Sequence, residues 1–223
     1  GILPAPCRKE LISAMNHGMT IISGLHHYLS EDQEFQKIAK KNSVDLVDIR
    51  KSRPVSDLHF WTGEILNVDT PIIAVLGTDC AVGKRTTARF ILEACKTLGI
   101  KTELIFTGQT GWMQGYKYGF IFDATPNDFV SGELERVIME CVKNSKPELI
   151  LVEGQSSLQN PSGPGGSEFI LSGNATGIIL VHPLGRKFFV DLEEFEYPIP
   201  ELEDEVKLIE SYGTKVIGIG LNE

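Results

Sequence analysis

From residue 71 onward, short apolar runs alternate with longer segments whose apolar residues recur every three or four positions. Short runs rich in β-branched residues are typical of buried parallel strands, and the longer pattern predicts amphipathic helices. The alternation predicts an α/β fold with a doubly wound, mostly parallel sheet that binds ligands at the carboxyl ends of its strands. The predicted strands are residues 72–76, 101–106, 149–152, 177–181 and 215–219, and the predicted helices are residues 86–98, 132–143 and 201–212.

Residues 1–68 form a separate block, which we interpret as the remnant of a Rossmann-like domain followed by a linker. An apolar run at 19–23 precedes a turn, and Ser30 is predicted to cap a helix with acidic residues in its first turn and lysines near its end. Residues 44–49 predict another strand, and residues 50–69 lack periodicity. The chain begins with Gly1 and stops soon after its last predicted strand, so we expect a fragment of a longer protein.

The segment that joins the strand at 72–76 to its helix has the composition of a phosphate-binding loop. Gly77 and Gly83 have no Cβ, so the backbone between them can turn its N–H groups toward an anion. Lys84 adds a positive charge, and the helix N-terminus that follows favours a phosphate. We therefore predict that residues 69–223 form a P-loop NTPase-like domain, with an ordinary strand–helix turn as the alternative. The predicted cofactor-binding residues are Gly77, Thr78, Asp79, Cys80, Ala81, Val82, Gly83, Lys84, Arg85, Thr86 and, after the last strand, Asn222.

The position after Lys84 departs from the usual pattern G-x-x-x-x-G-K-[ST], whose final hydroxyl binds magnesium. Arg85 stands there, so we predict that Thr86 or a water replaces the hydroxyl, unless the metal is held differently. Glu153 directly follows the apolar strand at 149–152, which places a carboxylate at the edge of the sheet that carries the loop. Thr86 and Glu153 are therefore the predicted Mg²⁺ ligands, and a capping or surface role is the alternative for Glu153.

Polar residues also follow the other predicted strands. Residues 107–111 contain two glycines, two hydroxyls and an amide, which suit the orientation of a polar ligand. His182 follows the strand at 177–181, where a catalytic and a structural role are both open. Residues 161–167 are polar and glycine-rich and predict a mobile loop over the site. The predicted catalytic residues are Lys84, Glu153 and His182, and the predicted substrate-binding residues are Thr107, Gly108, Gln109, Thr110, Gln155 and Arg186.

Composition and charge narrow the range of partners. The chain has 223 residues, 42% of them hydrophobic and 23% charged, and a formal net charge of −9. Nucleic-acid binding needs clustered Lys and Arg, so this charge argues against it. No apolar run approaches the length of a membrane span, and the four cysteines show no C-x-x-C spacing, so we expect a cytoplasmic protein in a reducing compartment.

The motifs resemble two known families. Residues 77–84 and 151–154 resemble the dethiobiotin synthetase branch of P-loop enzymes, which use ATP and Mg²⁺ to activate a carboxylated substrate. Over nearly the whole chain, the motifs at 23–26, 77–84, 107–111 and 152–155 resemble the D-glutamate N-acetyltransferase-like family, formerly a domain of unknown function. That resemblance implies a Rossmann-like domain before the P-loop domain and acyl transfer to D-glutamate or a related amino acid.

The resemblance and the residues together indicate where the substrates would bind. The resemblance makes D-glutamate the candidate acceptor, and the residues themselves predict its location between 107–111 and 161–167, because both segments follow strands and offer N–H and hydroxyl donors to a carboxylate. His182 or Arg186 is the predicted base or counter-charge; the alternative is that these segments are structural turns and the acceptor binds in the amino-terminal domain. One branch of P-loop proteins places an adenine-contacting amide at the position of Asn222. We also expect a homo-oligomer.

The residues themselves leave the ligand of the loop open, because a P-loop can hold the phosphates of ATP or the diphosphate of an acyl-CoA. One class of function is therefore a small-molecule enzyme, either an acyltransferase or an ATP- and Mg²⁺-dependent ligase or kinase acting on a carboxylated metabolite. The other class is a nucleotide-dependent switch protein. The glycine-rich segments at 107–111 and 161–167 favour an enclosed pocket and hence an enzyme.

Overall fold

A computed structural model describes residues 3–223 of the chain. The chain divides into two compact units. The first contains the residues up to Asp57 together with Asp123–Thr125, and the second contains Leu58–Phe122 and Pro126–Glu223. None of the helices in the described range combines the length and the apolar character needed to cross a bilayer.

The first unit pairs two short parallel strands with two helices. Its elements are α1 (Ala5–Asn16), β1 (Ile21–Ser23), α2 (Gln33–Asn42) and β2 (Leu46–Asp48), with a 3₁₀ turn at Leu29–Glu31. Buried Met15, Leu29 and Phe35 form its core. This strand–helix–strand arrangement confirms the Rossmann-like N-terminal part.

The cap of α2 differs from the sequence prediction. Asp32 caps this helix, because its carboxylate accepts the N–H groups of Glu34 and Phe35. The predicted cap, Ser30, lies in the preceding 3₁₀ turn, where its own N–H donates to Asp48. Both residue types are good N-caps. Because Ser30 lies in the 3₁₀ turn at Leu29–Glu31, the α-helix begins later and Asp32 caps it.

The second unit is built on a parallel sheet of six strands in the order β5-β4-β6-β3-β7-β8. The strands are β3 (Ile72–Gly77), β4 (Thr102–Phe106), β5 (Tyr118–Gly119), β6 (Leu149–Glu153), β7 (Gly177–Pro183) and β8 (Val216–Asn222). The helices are α3 (Lys84–Thr97), α4 (Gln109–Met113), α5 (Asn127–Ser145), α6 (Ser167–Leu171) and α7 (Leu202–Ser211). Short 3₁₀ turns occur in this unit at Glu64–Asn67 and Glu193–Phe195, and elsewhere in the chain at Val55–Asp57 and Phe122–Ala124. The predicted doubly wound α/β architecture is confirmed.

Alternation along β3 explains why both faces of the sheet are covered. Ile72, Ala74 and Leu76 belong to one apolar cluster, which includes residues of α5, α6 and α7. Ile73 and Val75 belong to a second cluster with residues of α3. Successive side chains of a strand point to opposite faces, so this central strand is apolar along its whole length.

A helix carboxylate pair fixes part of the predicted linker. Buried Glu135 on α5 accepts the N–H groups of Thr62 and Ile65, and Glu133 accepts the N–H of His59. A Cβ on Gly132 would lie 1.9 Å from the carbonyl oxygen of His59, so only glycine allows this approach. Residues 59–65 are therefore packed on α5 by long-range contacts, which the local sequence pattern does not predict.

Candidate functional site

The loop between β3 and α3 has the backbone shape of a P-loop. A Cβ on Gly77 would lie 2.6 Å from Val82 Cγ2, so the loop closes tightly only over glycine. Ala81 and Gly83 adopt left-handed conformations, with φ of 52° and 97°. Gly83 is the N-cap of α3, which begins at Lys84 rather than at the predicted residue 86. Left-handed residues in a strand–helix turn are a feature of anion-binding loops, so the backbone is consistent with the predicted phosphate site.

Fully buried Asp79 holds the loop to its surroundings. Its Oδ1 accepts the N–H of Cys80 at 2.6 Å and the side-chain amide of Asn160 at 3.3 Å. Its Oδ2 accepts Arg186 Nη1 and the N–H of Val190, at 2.8 and 2.9 Å. Four donors thus satisfy one buried carboxylate, which is the condition under which burying a charge is tolerated. Asp79 therefore shapes the loop.

Lys84 projects into the same loop and is almost entirely buried. Its Nζ donates to the carbonyl oxygens of Asp79 and Ser156, at 2.7 and 2.6 Å. Burial lowers the pKa of Lys84 to about 8, against the opposing influence of nearby Cys80, Asp79 and Glu153. The ammonium thus carries a charge that the protein only partly compensates, and a phosphate would compensate it further.

Glu153 lies at the carboxyl end of β6, beside the strand that carries the loop. Its Oε2 accepts the N–H of Thr107 at 3.3 Å, and its backbone oxygen accepts the Thr107 hydroxyl at 2.7 Å. Gln155 donates to that same hydroxyl. Burial raises the pKa of Glu153, although Thr107, Arg85 and Lys84 act in the opposite direction. Three predicted site residues, Glu153, Thr107 and Gln155, therefore form one connected group.

The two predicted magnesium ligands, Glu153 and Thr86, have different surroundings. Arg85 Nη1 lies 3.8 Å from Glu153 Oε1, where a metal-binding hydroxyl would be expected. Thr86 is one residue further on, turned by about 100° around the helix, and it is exposed. Residues 3–223 contain no cluster of three His, Cys, Asp or Glu side chains able to hold a metal ion. Magnesium stays a prediction, and the side chains at this position fit it poorly.

On the other side of β3, two predicted residues contact the loop from β7 and β8. His182 Nδ1 and Thr78 Oγ1 are 3.0 Å apart, and Thr78 is fully buried. The Asn222 amide donates to the carbonyl of Val82 at 3.0 Å, close to Gly83. Both strands run beyond their predicted ends, to Pro183 and Asn222, and this extension brings the two side chains to the loop.

The segment after β4 is partly helical rather than an open loop. Gly108 is the N-cap of α4, and Gln109 and Thr110 form its first turn. A Cβ on Gly111 would lie 2.3 Å from Phe106 Cβ and 3.3 Å from Glu153 Oε2. The glycine at position 111 therefore allows the short helix to lie directly against the carboxylate.

Residues 161–167, predicted as a mobile loop, are tied back to the end of β6. The Ser156 hydroxyl donates to the carbonyl of Gly163, and the N–H of Gly165 donates to Ser157 at 2.9 Å. Asn160 accepts two bonds from Ser162 while donating to Asp79. Sequence reasoning missed Asn160 and Ser156, because polar residues in a loop carry no signal for a partner that is 70 or more positions away.

Comparison with known proteins now assigns the family. Residues 59–223 match the P-loop domain described as a domain of unknown function, DUF1611_C, and residues 1–52 match the Rossmann-like domain DUF1611_N. The chain belongs to the DUF1611 family. The crystal structure of a DUF1611 family protein from Anabaena variabilis is similar, with a TM-score of 0.90 and 28% identity over 100% of this chain and 65% of that one.

Two curated relatives carry a functional name. D-glutamate N-acetyltransferase from Pseudoalteromonas sp. is 28% identical over 100% of this chain and 66% of its own length. The protein of the same name from Tritonibacter scottomollicae is 28% identical over 96% of this chain and 64% of its own length. The chain thus spans just under two thirds of the relatives it matches. The predicted resemblance to this family is confirmed.

Proposed function

We propose that this DUF1611 protein is an acyl-CoA-dependent N-acyltransferase that acts on D-glutamate or a closely related amino acid. The observation that carries the proposal is the similarity, over 96–100% of the chain, to two proteins named D-glutamate N-acetyltransferase. The P-loop gives that similarity a physical basis, since an acyl-CoA carries a diphosphate. We propose that the enzyme is cytoplasmic, in line with four cysteines that form no disulfide, and separately that it is a homo-oligomer.

The proposed acyl donor is held by its phosphates. Two of the three Nζ–H groups of Lys84 donate to carbonyls, which leaves one for a diphosphate oxygen above the loop. The N–H groups at the start of α3 would face the same oxygens. Asn222, whose amide lies beside Gly83, is the proposed contact of the adenine.

The proposed acceptor lies at the carboxyl ends of β4 and β6, near Thr107, Gly108, Gln109, Thr110 and Gln155. Its amine attacks the thioester carbonyl, the new C–N bond forms, the C–S bond breaks, and the coenzyme A thiolate leaves. A base removes one proton from the amine, and the thiolate takes up a proton from solvent. His182 lies on the far side of β3 from these residues, so it is the proposed base for an acceptor whose amine reaches across the end of β3. Arg186, whose charge Asp79 already counters, is the weaker candidate for the acceptor carboxylate.

The experiment is a product assay on the full chain. Incubation with acetyl-CoA and D-glutamate should release free coenzyme A and yield N-acetyl-D-glutamate by mass spectrometry, with L-glutamate and D-aspartate as specificity arms. His182→Gln should lower kcat by about 10²–10⁴-fold, whereas exposed His17→Gln should not. Product that forms only with ATP and Mg²⁺, with release of ADP or AMP, would refute the acyltransferase in favour of a ligase.

A further inference from the structure

The second residue of α3 distinguishes this P-loop from those that bind magnesium. Lys84 is the first helical residue and Arg85 the second, at the place where the usual pattern has Ser or Thr. A hydroxyl there would be a neutral oxygen ligand. Arg85 instead places a permanent positive charge next to the strand-end carboxylate, with Nη1 at 3.8 Å from Glu153 Oε1.

This guanidinium and a magnesium ion would compete for the same place. Mg²⁺ binds carboxylate oxygen at about 2.0–2.1 Å, so an ion on Glu153 Oε1 would lie within roughly 6 Å of Arg85 Nη1. The other carboxylate oxygen already accepts the N–H of Thr107. Like charges at this separation, in a largely buried place, repel each other strongly, because burial reduces screening.

The Arg85 side chain is also well suited to the phosphate itself. Its side chain is 34% exposed, whereas that of Glu153 is 5% exposed, so part of the arginine side chain is open to a ligand. A guanidinium has five N–H donors in a planar fork that matches two phosphate oxygens. Since Nη1 faces Glu153, the rest of the fork remains for a ligand beside Lys84.

We propose that this P-loop binds the diphosphate of its ligand without Mg²⁺, and that Arg85, positioned by Glu153, supplies the positive charge that the metal supplies in other P-loops. The inference rests on the proposed function only in that it needs a diphosphate ligand in the loop. It assigns Arg85 as a phosphate-binding residue and Glu153 as a positioning residue rather than a metal ligand.

The test is isothermal titration calorimetry, in which the full chain is titrated with desulfo-coenzyme A and, separately, with ADP. Each titration is run in excess EDTA and in millimolar MgCl₂. We expect the Kd of the better ligand to agree within about twofold between the two buffers, since no metal takes part. Binding that appears only with Mg²⁺ would overturn the inference while leaving the proposed function standing. No binding of either ligand in either buffer would overturn both.

Variants separate the role of Arg85 from a general loss of charge. Arg85→Thr restores the usual pattern, and in EDTA it should weaken binding by about 10- to 100-fold, the loss expected for charge-assisted hydrogen bonds. Mg²⁺ should recover most of that loss, and the recovery should disappear in the double variant Arg85→Thr with Glu153→Gln. The matched control is Arg89→Thr, an exposed arginine one turn further along α3, which should bind like the parent. Parent-like affinity of Arg85→Thr in EDTA, with the same melting temperature, would refute the assignment.

Discussion

Lys84 makes the affinity of the loop for phosphate depend on pH in a range where an ordinary lysine does not titrate. In the ligand-free protein its pKa is about 8, lowered mainly by burial. A bound diphosphate stabilises the ammonium form and returns the pKa toward its usual value near 10.4. Binding therefore takes up a proton whenever the pH lies between these two values, and affinity must fall as the pH rises through that window.

The size of the effect follows from the shift. At pH 7 about nine tenths of the Lys84 side chains are charged, and at pH 9 only about one tenth are, given a pKa of about 8. If only the charged form binds the diphosphate well, the Kd should rise by about tenfold between pH 7 and pH 9, which means weaker binding. Isothermal titration calorimetry with desulfo-coenzyme A at several pH values measures this change. The ligand has no thiol, and its 3′-phosphate, with a second pKa of about 6, is about nine tenths fully ionised already at pH 7.

Two variants test the origin of the slope. Lys84→Met should bind weakly and show no pH dependence from 7 to 9. Arg85→Ala should bind weakly yet keep the full slope, since a guanidinium stays protonated throughout. A parent protein whose Kd is constant across this range would show that the Lys84 pKa is not lowered in solution. A slope that survives in Lys84→Met would assign the titration to another group.

Two further predictions concern the stability of the loop, and both are measured by denaturant unfolding of the full chain. Asp79→Asn removes the charge that Arg186 and the N–H of Val190 face, so it should lower the free energy of unfolding by about 3–5 kcal/mol. The control Asp204→Asn, in an exposed pair with Lys207, should lower it by less than about 1 kcal/mol. Equal effects would contradict the buried network. Gly77→Ala should lower the free energy of unfolding by about 1–3 kcal/mol, because the new Cβ would clash with Val82. The same change at Gly220, whose Cβ would lie 3.6 Å from Thr87, should be nearly neutral. A tolerated Gly77→Ala would mean that the loop relaxes.

The features that sequence alone predicts are those encoded by neighbouring residues. The apolar run of β3, the glycines of the loop and Lys84 lie within a few positions of one another, so pattern and composition locate the P-loop. Apolar runs likewise place β4, β6, β7 and β8, although the last two continue further than predicted. Short elements such as β5 and α6 were missed, because two to five residues are too few to show a period.

The features that the sequence does not predict depend on distant partners. Nothing near Asp79 signals that Arg186 and Asn160 will satisfy its carboxylate, since these residues follow it by 107 and 81 positions. The sequence shows that Arg85 replaces the usual Ser or Thr of the P-loop pattern, but it does not show what the arginine contacts. Only the fold shows that the guanidinium meets Glu153 and that Thr86 turns outward to solvent.

The shape of the loop and the position of its lysine are coupled through one residue. The Asp79 side chain is fixed by Arg186 and the N–H of Val190, while its carbonyl accepts Lys84 Nζ. The second acceptor, the Ser156 carbonyl, belongs to a residue whose hydroxyl donates to Gly163. Lys84 is thus held by two peptide groups whose own positions are set by separate contacts, so its ammonium is oriented before any phosphate arrives. Residues that share partners in this way are not energetically independent. Asp79→Asn should therefore weaken phosphate binding less when it is introduced into Lys84→Met than when it is introduced into the parent. This coupling is expected even though the buried Asp79 side chain cannot touch the ligand itself.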